Sequence, residues 1–453
     1  MALRQGAAGL SIVVRVSDHF DSNNPIWSLE WLKFALFRND DLPHQVRSSR
    51  NFIKTKARLE ALNISAKRAI TDWLKPLWDG HVERSSILDP SGILRRVPID
   101  LFITLPVSLP LYARLLIFEA LREAGMLSDG VRVFPKCISC LEVTAVNRIA
   151  DLTGLAVDPS QHIKDGDVVV YCDCGGVTVT TIAYRVHAVQ SFSMEEITPQ
   201  DSIFAGADFL GDAFMNLLKT KVKEAYYLQV FETLPEEEDE LASVFNPIVD
   251  KIVTLVRSQI ESVNLVPGKS HLILDGGFRQ NPYLKARLRA AVQCLIPSIA
   301  THILSDNLNN KTYLPGFQLF SAVRSRIARA SYGVPSGSEG SIIWLVNKGD
   351  HLSGCEPNRR SLPPQAISVS TTVRGQVNTV HVYRKMSESL QAQLMCFLHW
   401  PVASIESQFE TMTLGSGRGL ELDFAWDGVH MEFSVFANGV RPEGLRIERN
   451  HSI

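Results

Sequence analysis

The sequence predicts an α/β chain followed by a mainly β region, and three observations predict it. Apolar runs of strand length alternate with amphipathic helical patterns from Val97 onward. Two of those runs end in paired glycines, at Asp173-Cys174-Gly175-Gly176-Val177-Thr178 and at Asp275-Gly276-Gly277-Phe278. Beyond the glycine- and serine-rich stretch from Tyr332 to Gly340 the helical patterns stop and strand patterns take over.

At 453 residues the chain is too long for one ordinary core, so two or three domains are expected. Hydrophobic residues at 45%, charged residues at 21% and a formal net charge of −2 describe a globular protein and give no reason to expect nucleic-acid binding. The charge is uneven: Arg47 to Arg68 is basic, and the acidic run Pro235 to Glu240 suits the start of a helix. The longest apolar stretch, Leu101 to Phe118, contains Pro106, Pro110 and Arg114, so it divides into a strand and a helix and does not span a membrane. The patch Gly6 to Val14 soon meets Arg15 and Asp18, too weak for a signal peptide. Seven cysteines, an odd number scattered along the chain, fit a reducing compartment, and a cytoplasmic protein is expected.

In chain order, residues 1 to about 90 read as helical and poor in strand signal, with patterns at Trp27–Phe37 and Ala66–His81. Then follow strand 97–105, helix 109–125, strand 131–134, helix 141–153, strands 167–172 and 177–185, and helices 208–222 and 240–263. Strand 270–275, helix 281–294, strand 300–304 and helix 316–331 complete the α/β part. In the last region, 341–346, 367–373, 420–426 and 431–436 read as strands, the final two joined as a hairpin through Asp427-Gly428.

The glycine turns carry the chemistry. Val168 to Tyr171 leads into the first and Val177 to Tyr184 leads out, a hairpin whose tip lacks side chains, so backbone N–H groups can approach an anion. The second follows His271–Leu274 and precedes the helical pattern Pro282–Arg289, a strand–glycine–helix unit of the kind that receives a nucleotide at the helix start. Either alone also reads as a plain turn.

Taken in order, these segments resemble the nucleotide-binding domain of the seventy-kilodalton heat-shock chaperone family, in its divergent branch, within the actin-like ATPase superfamily. Ile103-Thr104-Leu105-Pro106 with Glu119 to Gly125 resembles the family's strand-Thr-Val-Pro and the helix ending Ala-Gly. Asp173 to Thr178 resembles its second phosphate loop, Ala205 to Phe214 the segment after that hairpin, and Leu274 to Leu284 the adenosine motif. Ser321-Ala322-Val323 and Ile343 to Asp350 add to the match. The resemblance covers about residues 27 to 350 and implies a two-lobed actin-like ATPase (ribonuclease H-like) fold. It divides the chain into a truncated first lobe (1–158), a second lobe with a reduced upper subdomain (159–334), and a linker with a mainly β C-terminal region (335–453). Helix 316–331 is expected to pack back toward the first lobe.

The resemblance implies nucleotide contacts at Asp173, Gly175, Gly176, Thr178, Gly206, Gly276, Gly277 and Arg279, and makes Asp173 and Lys33 the vestigial candidates for catalysis. The departures weigh against turnover. Nothing like the family's first phosphate loop precedes Thr104, Val177 stands for the loop's third glycine, Thr180 for an aspartate of the cation shell, and Cys140-Leu141 for the Glu-Pro that places water. Only Met215 to Ser243 stands where the family has an adenine-clasping subdomain. Phosphoryl transfer depends on that charge arrangement, so the expected protein is a pseudo-ATPase that binds ATP or ADP with magnesium weakly or not at all. Its expected role is chaperone-like or regulatory, with protein clients or co-chaperone-like partners and neither nucleic acid nor membrane. The alternatives are a non-enzymatic interaction scaffold and an active ATPase fragment from a faulty gene model.

Cys137, Cys140, Cys172 and Cys174 form two close-spaced pairs, open to reading as a metal site, a redox pair or buried free thiols. The resemblance places Cys140 and Cys174 across one cleft. His351, His381, His399 and His430 form no constellation.

Overall fold

The computed structural model describes residues 2–6, 9–15, 31–88, 99–105, 109–127, 131–133, 138–154, 163–228, 238–263, 270–295, 299–303, 322–338, 340–354, 356–372, 375–386, 390–401, 419–426, 431–437 and 439–449. They divide into two compact units, Met1–Met194 with Gln200–Ala322, and Glu195–Pro199 with Val323–Ile453. The boundary expected at 158/159 falls inside the first unit, and the one at 334/335 inside the second.

The first unit opens with strands β1 (Ala2–Gly6) and β2 (Gly9–Arg15), an antiparallel pair. This corrects the reading of the N-terminal region as poor in strand, while its helical pattern is met by the helices that follow. Ile12, Val13 and Val14 are β-branched, and β2 lies parallel to β3 (Ile99–Leu105), with Leu10 opposite Ile99 and Arg15 opposite Thr104. Between them come a short 3-10 turn (Leu32–Leu36) and helices α1 (His44–Arg47), α2 (Arg50–Ala61) and α3 (Ala66–Leu88). The part of the Trp27–Phe37 pattern before residue 31 lies outside the described residues.

Helix α4 (Leu111–Glu123) starts after Pro110 and stops at Gly125, whose φ of 79° favours glycine; the Met126 N–H closes the end on the Leu121 carbonyl. Strands β4 (Val131–Val133) and β5 (Ile138–Ser139) both run parallel to β3, and α5 (Cys140–Gly154) follows.

The central sheet holds β6 (Val168–Cys174), β7 (Val179–Ala188) and β8 (Ser193–Ile203), then, after helices α6 (Ala207–Leu228) and α7 (Glu238–Glu261), β9 (Ser270–Asp275), helix α8 (Pro282–Leu295) and β10 (Ala300–Ile303). Five of its seven strands run in the order β10-β9-β6-β7-β8. Strands β9 and β6 are parallel, as are β10 and β9, whereas β6 and β7 form the expected antiparallel hairpin. All of β9 and nearly all of β6 is buried, as continuous apolar strands covered on both faces should be, and α5 and α7 pack against β6. The acidic run does open a helix, since α7 begins at Glu238.

The expected helix 316–331 is corrected from residue 323 onward; 316–321 lies outside the described residues. Val323-Arg324-Ser325-Arg326-Ile327 is strand β11, pairing antiparallel with β14 (His351–Ser353). Val323 and Ile327 satisfy a helical i, i+4 spacing, but pairing with β14 decides the outcome. The expected linker is instead a hairpin: β12 (Ser331–Pro335) pairs antiparallel with β13 (Ile342–Val346), and a Cβ on Gly333 would lie 2.4 Å from the Ile343 carbonyl oxygen.

The second unit continues with β15 (Arg359–Ser361), β16 (Ile367–Thr372), β17 (Gly375–Lys385), β18 (Gln393–Pro401), β19 (Leu420–Trp426), β20 (Met431–Ala437) and β21 (Arg446–Arg449). One sheet runs β13-β12-β17-β18-β21 with β16 also on β17, and a second runs β15-β19-β20. Tyr332, Trp400, Phe424, Phe433 and Val435 fill the core they share. The 420–437 hairpin is as expected, with Trp426 opposite Met431. Glu196, from the inserted segment, is buried in this unit, where it accepts the Ile327 N–H and pairs with Arg329. Among the described residues no helix is long and apolar enough to cross a membrane.

Candidate functional site

Parallel pairing of β6 with β9 sets Asp173 beside Asp275, and so brings the two glycine turns together at the carboxyl ends of the strands. Contact there is close enough to require glycine. Gly276 has φ 81°, and a Cβ on it would lie 2.3 Å from the Cys174 carbonyl oxygen and 2.4 Å from Asp173 Oδ1. A Cβ on Gly206 would lie 2.2 Å from the Gly176 carbonyl carbon. Asp173, Gly175, Gly176, Thr178, Gly206, Gly276 and Gly277 thus gather at one end of the sheet, although the segments are far apart in sequence.

The first turn closes through the Gly175 N–H to the Thr178 carbonyl at 3.0 Å. The start of α6 is seated on it: the N–H groups of Gly206, Ala207 and Asp208 donate to the carbonyls of Val177, Gly175 and Gly176 at 3.0, 3.2 and 2.8 Å. A helix start normally leaves such donors for an anion. Here the turn's own carbonyls take them. The Asp208 carboxylate lies 3.2 Å from where a Cβ on Gly176 would sit, and the indole N–H of buried Trp31 donates to it at 2.7 Å. Trp31 also meets Phe209 edge-on, and Gln45 bonds the Phe204 carbonyl, so the 31–45 segment is docked on the start of α6.

The second turn is organised by Asp275, whose carboxylate accepts the Tyr171 hydroxyl at 2.8 Å, Arg148 Nε at 3.0 Å and the Gly276 N–H at 2.8 Å. Burial pushes this carboxyl up, but the Tyr171 hydroxyl, the Arg148 charge and the Gly276 N–H outweigh it and hold it below the usual range. Burial and the neighbouring Asp275 charge push the Tyr171 phenol well up. Arg279 does not face outward: it is buried, donates to the Gly276 carbonyl at 2.5 Å and lies 3.9 Å from Asp275. Lys33 places its ammonium 5.0 Å above the Phe34 ring. The hydroxyl of Thr180 meets Ser202 at 3.0 Å, and Val177 is buried.

Both Cys172 and Cys174 are buried free thiols, 3.6 Å apart between sulfurs on one face of β6. The hydrogen bond shared with Cys174 and burial raise the Cys172 thiol well above its usual range. Such thiols are unreactive. Cys137 and the side chain of Cys140, with its expected approach to Cys174, lie outside the described residues. Among the described residues no group of three or more His, Cys, Asp and Glu is placed to hold a metal ion.

A magnesium nucleotide fits this end poorly. Its phosphates would meet the Asp208 carboxylate over Gly176, and the two arginines at the second turn are drawn to Asp275. Sequence reasoning missed Arg148, Tyr171 and Trp31. The one signal for the first two was a carboxylate, Asp275, closing the apolar run Leu272–Leu274 of a buried strand. No protein-family model matches the chain, and no curated protein matches it in sequence.

Proposed function

We propose that the chain is a degenerate nucleotide-binding domain of the actin-like, heat-shock-70-like kind, which binds adenine nucleotide weakly or not at all, does not hydrolyse it, and acts as a chaperone-like or regulatory protein. One observation carries the reading: two glycine turns side by side at the carboxyl ends of parallel strands, in a sheet five of whose seven strands run β10-β9-β6-β7-β8. The antiparallel β6–β7 hairpin beside parallel β9 and β10 supports that reading. Carboxyl ends of parallel strands are where α/β sheets take ligands.

Loss of turnover follows from the same residues. An oxyanion or phosphate site works through donors preorganised toward developing charge. In this chain the donors at the start of α6 are bound to the turn, and Asp208 adds negative charge at the glycine tip. The test is to restore what the resemblance finds missing. A triple variant, Cys140→Glu with Val177→Gly and Thr180→Asp, is expected to remain without measurable ATPase activity, because the donors at the start of α6 stay bound to the turn. Steady turnover by the unmodified chain, lost on Asp173→Ala, would overturn the degenerate reading.

A further inference from the structure

Helix α2 keeps an unanswered row of positive charge on its outer face. It buries Phe52, Thr55 and Leu59, and at about 100° per residue the opposite face carries exposed Arg50, Lys54 and Arg58 in one row, each about 6 Å of rise beyond the last. Arg47, at the end of α1, is a fourth exposed cation. Like charges four residues apart weaken a helix, and Arg50 sits at its start, where the dipole disfavours a cation. The helix has one acid, Glu60, turned away from the row. Neighbouring cations are answered within the chain: Lys67 by Glu119 and Glu123, Arg68 by Asp72, Lys56 by Asn39. The side chains of Arg47, Arg50, Lys54 and Arg58 make no hydrogen bond or ion pair with the described residues; Arg50 gives its backbone N–H, not its guanidinium, to Asp212 at 3.3 Å.

What lies beside the row selects the partner. On the same face runs a parallel ridge of Ile53, Ala57 and Ala61, all exposed, Ile53 by 55%. The two alanines let a second helix come close, and Ile53 gives it one large apolar contact. A single-stranded nucleic acid takes aromatic rings to stack on, and this face has none; a membrane takes several large apolar side chains, and it has one. A local rule broken with no local compensation is where function is sought. We propose that this face docks an acidic amphipathic helix of another protein, its apolar side on the Ile53–Ala57–Ala61 ridge and its carboxylates, four residues apart, along the cation row. The surface is on a different element from the glycine turns and needs no nucleotide.

The test titrates the full chain into a labelled synthetic helical peptide, with three glutamates four residues apart beside a leucine–alanine ridge, and reads fluorescence anisotropy. A dissociation constant of about 100 μM or tighter is expected at about 50 mM salt, weakening several-fold at about 200 mM. Lys54→Glu with Arg58→Glu should weaken it ~10-fold or more, and Ile53→Ser about 3-fold, each with an unchanged circular dichroism spectrum because the residues are exposed. The same peptide with lysines for glutamates should not bind the wild type, and should bind the variant Arg50→Glu with Lys54→Glu and Arg58→Glu. A glutamate peptide that stays unbound at about 300 μM chain overturns the proposal. So does binding indifferent to Ile53→Ser or to the charge reversals, and so does tighter binding of a single-stranded oligonucleotide or of phosphatidylserine vesicles, which would give the row to a nucleic acid or a membrane.

Discussion

Strands β6 and β9 run side by side, and the two ends of the pair bury a carboxylate in different ways. At the entry, Asp167 accepts the Lys164 N–H and meets His271 Nε2, each at 2.9 Å. At the exit, Asp275 gathers Tyr171, Arg148 and its own turn, with Arg279 close by. The entry is a local pin between neighbouring strand starts. The exit ties α5 to the sheet, at the place where glycines are forced by backbone contact. Groups that a ligand site would hold ready are there bound to one another.

The largest effect should come from breaking the exit network. Asp275→Ala takes the carboxylate away from half-buried Arg148 and from the buried Tyr171 hydroxyl, and is expected to cost about 3–5 kcal/mol in urea unfolding. Next come the forced glycines. Gly206→Ala and Gly276→Ala drive a Cβ to within 2.2 and 2.3 Å of backbone, and about 2–3 kcal/mol of destabilisation is expected for each. Gly277→Ala in the same turn meets nothing within 4 Å and should stay within about 0.5 kcal/mol. Equal losses at Gly276 and Gly277 would remove the claim that contact, rather than turn propensity, selects glycine. At the entry, Asp167→Ala should cost about 1–3 kcal/mol, for the loss of its hydrogen bonds to buried His271 and to the Lys164 N–H. If it costs as much as Asp275→Ala, the contrast between the ends fails.

Acid sharpens the contrast further. The folded Asp275 carboxyl lies below its ordinary value, so its contribution is present above about pH 3.9 and is lost as pH falls through the lower folded value. The stability gap between wild type and Asp275→Asn should therefore be full at neutral pH and shrink below pH ~4. A gap that does not change with pH would show that the carboxyl's charge is not what the network uses.

Much of the framework was legible in the sequence because it lies in runs: β3, β6, β7 and β9 are apolar or β-branched stretches ending at turn residues, and α4 ends on a glycine. The turns at Gly175-Gly176 and Gly276-Gly277 were legible for the same reason. Strand β8 was not, since Ser193 to Ile203 contains Glu195, Glu196, Pro199 and Asp201, and pairing rather than apolarity holds it. Strand β11 hid behind a helical spacing. The site's own chemistry was least legible: Arg148 is 127 residues from Asp275, Trp31 is 177 from Asp208, and only the fold makes them neighbours.

Under the proposed function, the glycine-lined end is filled by the chain itself and does no phosphoryl transfer. Calorimetric titration of the full chain with ATP and magnesium, followed by a phosphate-release assay on the same samples, tests it most directly. The account predicts affinity no tighter than about 1 mM, thermal stabilisation of at most about 1 °C at that concentration, and phosphate release at the buffer rate. Sustained release that disappears on Asp173→Ala would contradict it.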